Sequence, residues 1–122
     1  MATADLPAAL AERKNSDEAL VVVDQAGFVQ LLTPAAEDLF GVGSDDIAGE
    51  PVEFLLPAEL RFGHQAYRRG YLAEPADREM DPGLEPRGMN VTTEETFGVA
   101  IHLEPVRTEG KLYVVAHVTK RD

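Results

Sequence analysis

The feature that most constrains this chain is a pair of alternating runs near its C-terminus. In FGVAIHLE, Phe97, Val99, Ile101 and Leu103 fall on one side, and Gly98, Ala100, His102 and Glu104 on the other. In LYVVAHVT, Leu112, Val114, Ala116 and Val118 alternate with Tyr113, Val115, His117 and Thr119. A period of two belongs to strands with one face toward a core. The intervening TEG makes the turn, so the runs read as antiparallel neighbours. Such a sheet needs a cover on its apolar face, and the rest of the chain must supply it.

The N-terminal half supplies a second hairpin and the helices. ALVVVD, the turn DQAG and FVQLL form a hairpin signal, with Gly27 free to take the positive φ of a tight connection. Thr33-Pro34 reads as an N-cap followed by proline at the first helical position, AAEDLF as one or two turns, and Gly41 as the stop. SDDIAGEP and VEFLL are further single turns ended by Pro51 and Pro57. The longest helix is expected over Ala58 to Ala73. EPADREMDPGLEPRGMN, rich in proline and glycine, has room only for a short or edge strand. The order predicts an α+β domain over residues 17–122: a five-stranded antiparallel sheet with short helices and one longer helix covering one face. Residues 1–16 are expected as a short amphipathic helix (Leu6, Ala9, Leu10 and Arg13 at helical spacing) ending in a linker, ERKNSD.

Charge narrows the partners. A net charge of −11 over 122 residues argues against nucleic acid and anionic membrane surfaces. No apolar run approaches the ~20 residues of a bilayer span, and MATADLPAALAERKN lacks the basic-then-apolar order of a signal peptide, which points to the cytoplasm. With no cysteine there is no disulfide framework and no sulfur nucleophile. Five of the eight arginines (Arg61, Arg68, Arg69, Arg78 and Arg87) nonetheless cluster within residues 61–87. This local basic patch suits a small anionic ligand, an acidic partner, or simply a solvated ion-paired helix face.

The long helix carries the chemistry. Leu60, His64, Tyr67 and Tyr71 sit at i, i+4, i+7 and i+11, a narrow stripe flanked by Arg61 and Arg68 on one side and by Gly63 and Gly70 on the other. A mid-helix glycine costs about 1 kcal/mol relative to alanine. Two of them beside this stripe make sense where a ligand or the sheet approaches the backbone closely. Catalysis finds no support: His64, His102 and His117 are scattered over a helix and two strands. On the alternation above, His102 and His117 could meet only on the outer sheet face. GVGSDD follows a helix rather than a strand, so it lacks the context of a phosphate loop.

In their order and spacing, ALVVVDQAGFVQLLTPAAEDLFG, DDIAGEPVEFLLP, RFGHQAYRRGY and EPVRTEGKLYVVAHVTKRD resemble a PAS domain, the sensory module of bacterial signalling proteins. The resemblance covers about residues 17–122 and implies a pocket between helix and sheet, pairing into homodimers through the N-terminal helix and outer sheet face, and a C-terminal effector domain in a longer protein. It is similar in style to PAS sensors ahead of phosphatase or kinase regulators of stress-response sigma factors. In the family's haem-based oxygen sensors a helix histidine within R-x-x-H-x-x-Y ligates the iron, and Arg61, His64 and Tyr67 fit that pattern. Against this stands a half-buried His64 simply bonded to a neighbour. The other ligand reading is an apolar molecule such as a fatty acid, its tail between the helix stripe and Phe97, Val99, Ile101 and Leu103, and its head at His64 and Tyr67 with Arg61 or Arg68 assisting. Leu60 and Tyr71 would line the body. A third reading is a ligand-free dimerisation module, in which Tyr113 and Val115, with Val21 or Val23, leave apolar surface for a partner. Two departures from the family stand out. NVTTEETFG replaces its usual K-D-G hairpin and is expected as a longer or disordered loop, and the acidic residue closing the last strand is replaced by Lys120 or displaced to Asp122.

Overall fold

A computed structural model of the chain describes residues 6–80 and 85–121. Six strands, β1 (Ala19–Asp24), β2 (Val29–Leu32), β3 (Arg78–Glu79), β4 (Arg87–Met89), β5 (Thr96–Thr108) and β6 (Lys111–Arg121), form one antiparallel sheet. Its order is β2-β1-β6-β5-β3, and β4 also pairs with β5. β3 lies opposite Leu103 and His102 and β4 opposite Gly98 to Thr96, so the two share one lane. The sheet thus has the five lanes expected, the fifth broken in two by its proline- and glycine-rich stretch. The linking residues 81–84 lie outside the described residues.

The two hairpins meet at the centre, where β1 pairs with β6 from Ala19↔Val118 to Asp24↔Tyr113. The β5–β6 register runs from Gly98↔Arg121 to Thr108↔Lys111. Its turn residues, Glu109 and Gly110, take φ of 52° and 76°, the positive values that a two-residue hairpin turn requires. Gly27 takes 91° at the β1–β2 turn.

Between the hairpins lie α2 (Pro34–Phe40), α3 (Ser44–Ile47), a 3₁₀ turn at Val52–Leu55 and α4 (Ala58–Ala73); α1 (Ala8–Ala11) and a 3₁₀ turn at Glu12–Asn15 precede the sheet. Thr33 sits before Pro34, but its side chain does not cap α2. Its hydroxyl donates to the Glu18 carbonyl (2.6 Å) and accepts from the Leu20 amide (2.9 Å), tying the helix start to β1. Gly41 ends α2 in the left-handed region at φ 68°.

Apolar layers cover both sheet faces. On the inner face Val99, Leu103, Val114 and Val118 pack with Phe40, Ile47, Leu55 and Tyr71. Val21 and Val23 belong to this layer, not to the outer face where a partner surface was expected, because the pleat turns Leu20 and Val22 outward instead. The outer layer joins Leu20, Val22, Leu31, Tyr113 and Val115 to Leu6 and Leu10. Tyr113 and Val115 therefore offer no free apolar surface; they are 6% and 0% exposed beneath the chain's own N-terminal segment. ERKNSD, expected as a linker, is docked: Arg13 makes a two-pronged contact with Glu104 (3.0 and 2.8 Å) and Lys14 donates to the Leu32 carbonyl (3.1 Å).

The loop expected to be long or disordered is a compact turn. The Asn90 side chain accepts from the Thr92 and Thr93 amides, Glu94 takes φ 66°, and Thr92 donates to the Gly41 carbonyl at 2.6 Å. It replaces a generic hairpin with one fitted to the end of α2. Lys120 ends near the close of β6, and Asp122 lies outside the described residues.

Candidate ligand pocket

Pro57 starts α4, and the helix crosses the inner sheet face far enough away to leave a cavity of about 100 Å³. β5 contributes Val99, Ile101 and Leu103 to its wall, β6 contributes Val114, Ala116 and Val118, and the Val52–Leu55 turn with Leu56 closes one end. From α4 come His64, Tyr67, Arg68, Tyr71 and Leu72. The walls are apolar except for the polar atoms of α4 and Arg87 of β4.

Of the residues singled out from the sequence, His64, Tyr67, Arg68, Tyr71, Val99, Ile101 and Leu103 line this cavity. Leu60, Arg61 and Phe97 do not. Arg61 turns back to donate to the Leu56 carbonyl (3.0 Å), with its guanidinium 5.8 Å from the Phe54 ring centre. Phe97 packs on Phe40, with ring centres 6.0 Å apart. The two helix glycines serve no close approach, since a Cβ at Gly63 or Gly70 would meet nothing within 4 Å. Close approaches occur elsewhere: Arg68 packs on Gly27, Asn90 on Gly41, and at Gly88 on β4 a Cβ would stand 2.9 Å from both Phe40 and Phe97.

The polar end is organised by a residue that periodicity did not single out. Glu53, 2% exposed, receives the Arg68 Nε–H at 2.9 Å and lies 2.7 Å from His64 Nδ1. Burial alone would push its carboxyl up, but the hydrogen bonds and charges of Arg68 and His64 outweigh this and hold it below the ordinary glutamate value. Arg68 also donates to the Ala26 carbonyl at 3.0 Å, packing against Gly27, so the cluster joins α4, the Val52–Leu55 turn and the first hairpin. The one sequence signal for Glu53 was a charge inside the otherwise apolar VEFLLP.

His64 and Arg68 therefore already have partners, whereas Tyr67 does not. Its hydroxyl is buried without a hydrogen-bond partner among the described residues. Tyr71, by contrast, donates to the Ala76 carbonyl at 2.6 Å and closes the helix exit; burial raises its hydroxyl above the ordinary tyrosine value. His102 and His117 lie apart from the pocket, on neighbouring strands of the outer face. No cluster among the described residues has the arrangement of a metal site built from His, Asp and Glu alone. No described helix is long and apolar enough to cross a membrane.

No family model matches the sequence. Among curated proteins, the chain is 29% identical over 105 residues to the sensor protein FixL of Bradyrhizobium diazoefficiens, covering 83% of this chain and 20% of that protein. It is also 29% identical over 103 residues to the oxygen sensor protein DosP of Escherichia coli, covering 80% of this chain and 12% of that one. The chain thus spans a fifth or less of these relatives. Among solved structures, the PAS domain of an HTR-like protein from Haloarcula marismortui is 16% identical with a TM-score of 0.70, covering 91% of this chain and 87% of that one. The Cronobacter turicensis RpfR quorum-sensing receptor PAS domain, in complex with C12:0, is 12% identical with a TM-score of 0.71, covering 88% and 97%. The chain therefore has the fold of a PAS domain.

Proposed function

We propose that this PAS domain is a sensor that takes an apolar or amphiphilic ligand of fatty-acid type beneath α4. The observation that carries the reading is the orphaned Tyr67 hydroxyl at the edge of an apolar cavity. A buried donor without an acceptor costs about 1–3 kcal/mol, and a ligand oxygen there would recover it. The tail would lie against Val99, Ile101 and Leu103. Glu53 and Arg68 would fix the helix position that aims Tyr67. A cavity of about 100 Å³ holds only a short part of such a chain, so occupancy requires α4 to move outward, and that displacement is a natural signal. The likeness to the RpfR domain, whose structure holds C12:0, supports a lipid ligand on this scaffold.

A second reading, haem, is favoured by a different observation. His64 has one ring nitrogen on a buried carboxylate, an arrangement that fixes the ring orientation of a metal-ligating histidine. The donor set fits: His64 would hold the iron through its other nitrogen, and Arg87 at the cavity wall would face the propionates. The bound group would supply reversible gas or redox chemistry. DosP, a relative named as an oxygen sensor, supports this alternative.

In either case the domain would act in the cytoplasm within a larger signalling protein, passing its state to a C-terminal effector, with stress-response sigma-factor control as one setting. A homodimer would use the outer side of the N-terminal helix, because its inner side is spent on the sheet. The deciding experiment is an absorption spectrum of freshly purified protein followed by mass spectrometry of its organic extract. A colourless protein releasing stoichiometric fatty acid upholds the first reading. A Soret band abolished by His64→Ala establishes the second and overturns the first. A colourless protein releasing nothing overturns both and leaves dimerisation as the function.

A further inference from the structure

On the outer sheet face, across the sheet from the α4 cavity, His102 and His117 face each other on β5 and β6, with ring centres 5.9 Å apart at an interplanar angle of 76°. Every ring nitrogen of the pair lies against a carboxylate. His102 Nδ1 is 3.0 Å from Glu79 and Nε2 is 2.6 Å from Asp77. His117 Nδ1 is 3.0 Å from Glu18 and Nε2 is 2.9 Å from Glu104. Glu104 is held in turn by Arg13. The cluster draws on four parts of the chain: the N-terminal segment (Arg13, Glu18), the α4–β3 connection and β3 (Asp77, Glu79), β5 and β6.

Two contacts per ring have a definite chemical meaning. A neutral imidazole has one N–H and one lone pair, so it can donate to only one of two flanking carboxylates and turns a lone pair toward the other. The imidazolium donates to both. With both rings protonated, three cations (His102, His117 and Arg13) face four carboxylates; with both neutral, Arg13 faces the same four alone. We propose that this pair is a proton-operated latch that fastens the N-terminal segment and the α4–β3 connection to the outer sheet face, and loosens them as pH rises. The placement gives the latch leverage, because Arg13 and Glu18 bracket the stretch that joins the Leu6–Leu10 cover to β1.

The titration runs in the required direction. The Glu79 and Asp77 carboxylates raise the His102 imidazole above its ordinary value. Partial burial lowers the His117 imidazole, but Glu18 and Glu104 outweigh it and leave that ring raised too. A raised folded-state value means a contribution complete below the unfolded histidine value, near 6.5, and lost as pH climbs through the folded one. Glu104 itself is held down to about 2, chiefly by its bond to Arg13, so it stays charged throughout this window.

The test is amide hydrogen exchange of the full chain between pH 6 and 9, with rates corrected for intrinsic base catalysis and histidine protonation followed by NMR on the same samples. The readouts are the Leu10, Ala11 and Ser16 amides, which bond within the N-terminal segment. Protection of these amides should fall at least threefold across the histidine titrations, while central β6 amides hold theirs. His117→Gln should abolish the pH dependence, and Glu18→Gln, a milder change, should shift it to lower pH. Equal protection at pH 6 and pH 9 overturns the latch, as does pH dependence that survives His102→Gln/His117→Gln.

Discussion

At the scale of single residues, satisfaction of polar groups separates the roles within the α4 stripe. His64 and Arg68 are spent on Glu53, and Tyr71 on Ala76, so only Tyr67 is left waiting. Tyr67→Phe should leave the ligand-free domain as stable as before or raise it by up to about 2 kcal/mol in chemical denaturation, because it removes an unpaired buried hydroxyl. The same change should weaken binding of a dodecanoate-type ligand about tenfold in calorimetry. If stability instead drops by more than 1 kcal/mol, Tyr67 has a protein partner and the pocket reading loses its anchor. The residues facing the pocket were largely legible as a period of helical spacing, but their hydrogen bonds were not. Periodicity gives the side of a helix on which a residue sits, and says nothing of where a flexible arginine or a neighbouring glutamate ends. Arg61 and Arg68, seven positions apart on one flank, end on a backbone carbonyl and on a buried carboxylate.

Acid sensitivity follows from two of these carboxylates. Glu53 and Glu104 both lie below the ordinary glutamate value in the fold, Glu104 at about 2. A depressed folded value means stability that is present above the unfolded value, near 4.3, and drains away as pH falls through the folded one. Stability should therefore decline between about pH 4.5 and 2. Arg13→Gln should flatten part of that acid limb while lowering stability at pH 7 by less than about 1 kcal/mol, since the pair is partly exposed. An acid limb identical to the parent's in urea titrations would show that the Arg13–Glu104 pair contributes nothing.

At the scale of elements, the glycines divide by environment. Gly63 and Gly70 stand in α4 with open space where a Cβ would go. Gly63→Ala and Gly70→Ala should each raise stability by about 0.5–1 kcal/mol through helix propensity alone. Gly88→Ala should lower it by about 1–3 kcal/mol, because its methyl group would have to displace Phe40 or Phe97. Thermal melts of the three variants check the contrast, and a destabilised Gly63→Ala would mean that something packs on that helix face in solution. The sequence made the wrong pair of glycines prominent. Their nearness to the histidine stripe was visible, but on a helix a neighbour in sequence can face solvent. Gly88 owes its role to a contact of β4 and the nearby β5 with α2, an element far away in the sequence. The same holds for NVTTEET, whose fit to the end of α2 depends on Asn90 and Thr92 reaching Gly41.

At the scale of the molecule, alternation in β5 and β6 was enough to pair those two strands, but it did not reveal that the hairpins join through β1 and β6. What alternation could not convey is that both faces are covered. Tyr113 and Val115 read as an exposed row because nothing in a strand's pattern reveals what lies over its outer face. The cover comes from Leu6 and Leu10, in a segment whose helical spacing was legible but whose docking on the outer sheet face was not. Its importance can be weighed from burial: Leu10 is 0% exposed, and removing its side chain leaves a cavity over Leu20, Val22 and Val115. Leu10→Ala should therefore cost about 2–5 kcal/mol, a large share of the 5–15 kcal/mol typical of a domain this size. It should also make the protein associate at concentrations where the parent is unchanged, because a loosened N-terminal segment uncovers an apolar sheet face. Urea denaturation and sedimentation measured side by side separate these effects. A parent-like midpoint would mean that the segment is only loosely held on the sheet in solution, and the outer face would then regain its standing as a surface for a partner.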